Sequence, residues 1–187
     1  MSATRLLVLG VMRMHGKAHG YLVRSELLSW GADEWAHIKF GSIYHALRQL
    51  AKEGLLTFTD IPDWPGRVDY EITPAGEEEL LSLLRDALRQ GNNRPDMLGA
   101  AVVLLPSLRR EEAIALLKER ISSLSAKQGG VADRVDETAS EQPDRAHVRE
   151  LIGLWEHSAA SQVEWAQGLI DRLEAGAYVM YGENPAS

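Results

Sequence analysis

With 187 residues, 45% of them apolar and 25% charged, the chain can bury a substantial core and lies outside the composition of disordered segments. It contains no cysteine, which excludes a disulfide framework, a thiolate nucleophile and a zinc ribbon. The net charge of -7 gives no general support to nucleic-acid binding; residues 1–90 hold 10 Lys+Arg against 12 Asp+Glu and residues 91–187 hold 10 against 15, so only a local basic face could engage DNA.

Residues Arg5–Met14 (RLLVLGVMRM) read as a short helix that is apolar nearly all round, and such a helix needs cover on more than one side. Its run Leu6–Val11 is far too short to span a membrane, and the N-terminus lacks the basic, apolar and small-residue layout of a signal peptide. A soluble, cytoplasmic protein is therefore expected. His15 and Gly16 end this helix, and a second begins near His19-Gly20, with Val23, Leu27 and Trp30 at i, i+4, i+7 and Gly31 as its stop. His15 and His19 stand four apart, a metal spacing on a helix, but Gly16 and Gly20 predict a turn there.

A connection over Ala32–Phe40 leads to Gly41–Leu55, GSIYHALRQLAKEGL. Ile43, Ala46, Leu47 and Leu50 share one helical face, and Tyr44, His45, Arg48, Gln49 and Lys52 share the other. Two cations, an imidazole, an amide and a phenol on one face can reach phosphates and base edges together. Alone, the pattern is more often that of an ordinary solvated surface helix. Three short helices joined by turns, the third polar outside, outline a helix-turn-helix domain.

Gly54 closes the third helix. Leu55–Ile61, the breaker-rich PDWPG and Arg67–Thr73 then predict a two-stranded hairpin, Val68, Tyr70 and Ile72 alternating with Asp69, Glu71 and Thr73. After a recognition-type helix, such a hairpin is a wing, and its tip, Trp64–Arg67, would meet the DNA backbone or minor groove. Thr73 can cap the next helix, Pro74 suits its first position, and Glu77, Glu78 and Glu79 favour its N-terminal dipole. Leu80, Leu84, Ala87 and Leu88 form its buried stripe, and Gly91-Asn92-Asn93 marks a joint.

LLVLGVM in the first helix, HGYLV at the start of the second, GSIYHALRQLAKEGLL through the third and YEITPAGEEEL after the wing resemble, in this order and at these intervals, the PadR family of bacterial transcriptional regulators. The resemblance covers residues 4–90 and departs at His45, where a proline is common after the tyrosine. It implies a winged-helix DNA-binding domain and homodimerisation through a C-terminal helical region, often against the first helix of the other subunit. In some members it also implies flat aromatic or drug-like ligands in the dimer core.

Further along, Pro95–Leu105 reads as an apolar helix stopped before Pro106, and Ser107 can cap a run with Ile114, Leu117 and Ile121 on its apolar face. Gly129-Gly130 is expected to break that run, and Asp133–Arg145, charged and weakly periodic, to be exposed. From Pro143 to about Ala175 the apolar residues Val148, Leu151, Ile152, Trp155, Ala159, Val163, Ala166, Ile170 and Leu173 repeat every three or four positions. One long striped helix with few partners left in its own chain suggests a partner from a second subunit. His147 and His157 lack a ligand set.

The expected fold class is thus mainly α with a small two-stranded wing: a winged helix-turn-helix domain over residues 1–91 and a helical dimerisation and effector region over residues 94–181. Expected DNA contacts are Lys39, Ser42, Tyr44, His45, Arg48, Gln49 and Arg67. Arg48 or Gln49 would read bases, by a guanidinium fork on guanine or an amide on adenine, while Tyr44 and Lys39 touch phosphate. Lys17 is a weaker candidate. Leu6, Leu7, Leu9, Leu151, Trp155, Val163, Ile170 and Leu173 are the expected dimer contacts. Trp155 and Trp165 are candidates to line an aromatic pocket, although a tryptophan on an interhelical face usually packs.

No nucleophile elbow, phosphate-cradling glycine loop or metal-spaced cluster is visible, so no enzyme, cofactor or metal is expected. The expected function is a repressor binding an inverted-repeat operator in double-stranded DNA as a homodimer, its reading helices about 34 Å apart, with release by a small aromatic effector. The acidic net charge leaves a winged-helix protein-interaction module as the alternative.

Overall fold

The computed structural model describes residues 2–61, 66–91, 94–141, 147 and 150–184, without the side chains of 127–141 and 152. It comprises two compact units, Met1–Ala87 with Arg94–Ser107, and Leu88–Asn93 with Leu108–Ser187. No described helix is long and apolar enough to cross a membrane.

In the first unit, α1 (Ala3–His15) is covered by α2 (Gly20–Ser29), α4 (Phe40–Lys52), α6 (Pro95–Val103) and the sheet. Leu6, Leu7, Val8, Leu9, Val11 and Met12 are 0% exposed, which accounts for a helix apolar on every side. Each such side chain contributes roughly 1.5–3 kcal/mol when taken out of water. This corrects one expectation: Leu6, Leu7 and Leu9 are enclosed by their own chain and have no surface left for a second subunit. The connection after Gly31 holds a short helix, α3 (Ala32–Trp35), steadied by Trp35 Nε1 donating to the Trp30 carbonyl at 2.8 Å.

The sheet has three strands, β1 (Lys17–His19), β2 (Leu56–Asp60) and β3 (Val68–Ile72), in the order β1-β3-β2 and antiparallel throughout. The wing hairpin is as expected, whereas β1 replaces the turn expected around His15–His19; Ala18 pairs with Tyr70 across it. Three residues are too few to display a two-residue period. The wing tip at Trp64 lies outside the described residues.

Thr73 caps α5 (Pro74–Arg89): its Oγ1 accepts from Gly76 N–H at 3.1 Å and donates to the Gly54 carbonyl at 2.9 Å. A β-carbon at Gly76 would run into the carbonyl oxygen of Leu55, so glycine is needed where α5 crosses the start of the wing. Residues Arg94–Ser107 pack with this first unit, although the division at Gly91 assigns them to the C-terminal region. Met97, Ala100 and Ala101 of α6 are buried, and Arg13 donates to the Ser107 carbonyl.

The second unit is built on an antiparallel pair, α7 (Arg110–Glu141) and α8 (Glu150–Glu174), with Ala113, Leu117 and Leu124 buried on one helix and Ala166, Ile170 and Leu173 on the other. Two local signals were overridden. Ser107 sits in a 3-10 turn, Leu105–Ser107, and α7 starts at Arg110; and α7 runs through Gly129-Gly130. Each glycine costs a helix only about 1 kcal/mol relative to alanine. Asp133–Glu141 continue α7, without described side chains, and residues 142–145 and Val148 lie outside the described residues, so the expected exposure of Asp133–Arg145 is outside what is described.

Because α7 covers it, α8 has the partner in its own chain that the stripe alone did not reveal. Ile170 and Leu173 are buried there, a second correction to the expected dimer contacts. Val163 is half-buried, while Leu151 and Trp155 are exposed, as is Leu154 at 62%. At the far end, Arg110 collects the last carbonyls of α8 and the tail: Nη1 donates to Leu173 and Ala177, Nη2 to Tyr178, and a bidentate pair at 2.7 Å holds Glu183. Such carbonyls are the orphans every helix C-terminus leaves.

Candidate nucleic-acid interface

Helix α4 divides its faces as its spacing predicts. Ile43, Leu47 and Leu50 are buried, and Tyr44, His45, Arg48, Gln49 and Lys52 are exposed on the opposite side. Lys39 precedes the helix in extended conformation, exposed, and its carbonyl accepts from Ser42 N–H at 2.9 Å and from the Ser42 hydroxyl. Ser42, half-buried, spends its proton closing the first turn, so only its oxygen lone pairs remain for a further partner.

The two candidate base readers differ. Gln49 Nε2 donates to Glu53 Oε1 at 2.9 Å, and Glu53 is also held by Arg5 at 2.6 Å, which keeps its carboxyl below the usual range. Adenine N7 would need that same amide nitrogen. Arg48 has no hydrogen bond or carboxylate partner among the described residues, and its charge acts on the Tyr70 phenol. Burial raises Tyr70, and the Arg48 charge opposes that rise.

Tyr44, Arg48 and Arg67 line one cleft of about 470 Å³. Tyr70 and Val68 of β3 form its sheet side, and His19, Gly20 and Tyr21 at the start of α2 form its other wall. His19 Nδ1 accepts from Leu22 N–H at 3.1 Å, capping α2, and a β-carbon at Gly20 would collide with the Tyr44 ring. Arg67 donates from Nε to the buried Asp69 carboxylate at 3.1 Å, so its charge is partly neutralised. Guanidinium and phenol donors around one groove are suited to phosphate oxygens.

Charge in this unit is segregated. Arg5, Arg13, Lys17, Arg67 and Arg94 each lie within 4.0 Å of a carboxylate oxygen. Arg24, Lys39, Arg48 and Lys52 have no such partner among the described residues, and all four stand on α2, on α4 or immediately before α4. Lys17, the weaker candidate, is paired with Glu71 at 3.0 Å. His15 pairs with Glu26 at 3.3 Å.

Residues 8–82 match the family model described as the transcriptional regulator PadR-like family. The match spans 75 of the 187 residues. Solved structures similar to the chain include Bacillus subtilis PadR in complex with operator DNA, 22% identical, covering 91% of this chain and 95% of that one at a TM-score of 0.38. The same protein in complex with p-coumaric acid is 22% identical, covering 92% and 99% at 0.37. A PadR-like transcriptional regulator from Bacillus cereus is 23% identical, covering 92% and 99% at 0.36. No curated protein matches the chain significantly.

The matched segment contains several cleft residues that spacing along the chain did not single out. His19, Tyr21 and Tyr70 join Tyr44, Arg48 and Arg67, and Arg24 lies over the Phe40 ring beside them. Glycine at position 20 followed by tyrosine was a weak local hint; the other partners meet only across the crossing of α2, α4 and the sheet. On α8, outside this segment, Trp155 is exposed and Trp165 half-buried. Ten helical residues separate them by about 15 Å along the axis and roughly 80° around it.

Proposed function

We propose that the chain is a repressor that binds an inverted-repeat operator as a homodimer, each subunit presenting α4 to a major groove and the wing to the adjoining backbone. The observation that carries this reading is the segregation of charge within the first unit of an acidic chain: Arg24, Lys39, Arg48 and Lys52, without a carboxylate partner among the described residues, gather on and beside α4. A local basic face of this kind supplies the counterion-releasing contacts that net charge conceals. In this reading residues 1–91 bind DNA, with Arg48 as base reader and Lys39, Tyr44, His45 and Arg67 against the backbone. Ser42 and Gln49 serve as secondary contacts.

Dimerisation is assigned to the first half of α8, where Leu151, Leu154 and Trp155 are exposed together. An aromatic effector seated against Trp155 would favour one separation of the two α4 helices and so change affinity by population shift. Fluorescence anisotropy with a labelled duplex from the intergenic region beside its own gene tests the whole reading. Binding should be tight at low salt and fall steeply as KCl rises, and Leu154→Asp should convert dimer to monomer in sedimentation velocity and weaken binding. Salt-insensitive or absent binding overturns the DNA reading in favour of a protein-interaction module. Unchanged tryptophan fluorescence and unchanged operator binding across a panel of aromatic ligands remove the effector.

A further inference from the structure

Arg24 projects from α2 so that its guanidinium carbon lies 3.9 Å from the centroid of the Phe40 ring, the first residue of α4. One turn away on both helices, Gly20 meets the Tyr44 ring. The two contacts form a seam, 20 with 44 and 24 with 40, that steps along α2 and back along α4. Its Gly20-Tyr44 end opens into the cleft that Arg48 and Arg67 line.

Phe40 is 48% exposed, an unusual place for a large apolar ring unless it serves something at the surface. What it serves is Arg24. The guanidinium has no carboxylate partner among the described residues, and its Nε is buried without a hydrogen bond. An aromatic face attracts a cation without neutralising its charge or occupying its N–H groups. A guanidinium held in this way keeps its donor fork for the two non-bridging oxygens of a phosphodiester.

We propose that Arg24, positioned by Phe40, is a phosphate-binding site for the DNA backbone next to the N-terminal end of the recognition helix. The site rests on the reading of α4 as the DNA-contacting helix and extends it to a helix that supplied no expected contact. Phe40 is the positioning residue and Arg24 the binding one.

The test compares full-length wild type with Arg24→Gln, Arg24→Lys, Phe40→Leu and Arg48→Ala, each checked for folding by circular dichroism. The probes are a labelled duplex of the intergenic DNA beside the gene and a scrambled duplex of equal length, titrated from 50 to 200 mM KCl. Arg24→Gln should weaken both duplexes equally and lower the slope of log affinity against log salt by about one, so that its deficit shrinks about 3.5-fold across that range. Arg24→Lys should keep the wild-type slope, and Phe40→Leu should weaken both duplexes alike. If Arg24→Gln binds with wild-type affinity and slope while Arg48→Ala loses the intergenic duplex, the Arg24 site is wrong and the DNA reading stands. If Arg24→Lys and Arg24→Gln lose affinity equally with no change of slope, the role is structural and the site is also wrong. Wild type that binds neither duplex at 50 mM KCl defeats the DNA reading itself, and the site with it.

Discussion

The Tyr44 ring rests against the bare backbone of Gly20, where a β-carbon would come within 2.9 Å of Cδ1 and closer still to Cε1. The phenol on the exposed face of α4 is therefore aimed by α2. Gly20→Ala, at the first residue of α2, gains at most roughly 0.5–1 kcal/mol of helix preference, and in exchange it must push the ring aside. We expect near-unchanged thermal stability and an affinity for the intergenic duplex lowered by about 1 kcal/mol, one hydrogen bond's worth. In a Tyr44→Ala background the same substitution should have no further effect on binding. Wild-type affinity for Gly20→Ala alone would sink this account of how Tyr44 is aimed.

Arg48→Ala should cost about 1–3 kcal/mol on the intergenic duplex and much less on a scrambled one, as loss of a base contact does. It carries a second signature in the free protein. Burial pushes the Tyr70 phenol above its ordinary value of 10.0, and the Arg48 charge holds that rise in check. With Arg48 gone, ultraviolet titration should find Tyr70 ionising at still higher pH. Because the folded value exceeds the unfolded one, the stability linked to Tyr70 is whole below pH 10 and is lost as pH rises through the folded value; the variant should lose more. Unchanged Tyr70 titration would separate the two side chains.

Glu183, gripped by the Nε and Nη2 edge of the Arg110 guanidinium and by Met180 N–H, has its carboxyl lowered from 4.5 to about 2. A depressed folded value means that the stabilisation is present above pH 4.5 and disappears as pH falls toward 2. The carboxyl carbon resonance of Glu183 should titrate near 2 in wild type and near 4.5 in Arg110→Ala. Equal midpoints in the two proteins would show that Arg110 has no hold on Glu183 in solution.

Gly76→Ala should destabilise the first unit by about 1–3 kcal/mol, as overpacking does, because the group in the way is the Leu55 backbone carbonyl. Urea unfolding at pH 7 measures it. A loss near zero would mean that α5 and the start of the wing can part without cost.

Local rules reached far along this chain. The two faces of α4, the Thr73-Pro74 cap and the β2-β3 hairpin each depend on residues a few positions apart, and each was legible. Strand β1 and helix α3 were too short to show a period. Gly129-Gly130 carried a breaker's signature that continued helical pairing outweighs. The apolar girth of α1 announced burial but not by what, since cover from its own chain and from a second subunit leave the same pattern of residues. The Arg24-Phe40 contact joins two helices, and spacing along either one holds no trace of it.

The pairing of β1 with β3 has a consequence for how the groove comes into being. Lys17 must find Glu71, and Ala18 must find Tyr70, before the wall at His19 stands opposite the sheet. All of α2, α3 and α4 lie inside that loop, whose closure has to be met before its contacts reward it. The hairpin and the individual helices can form early from near neighbours, whereas the groove joining them is a late product of folding. A chain caught part-way, with α4 already helical, would carry the reading residues without the cleft that holds them in position.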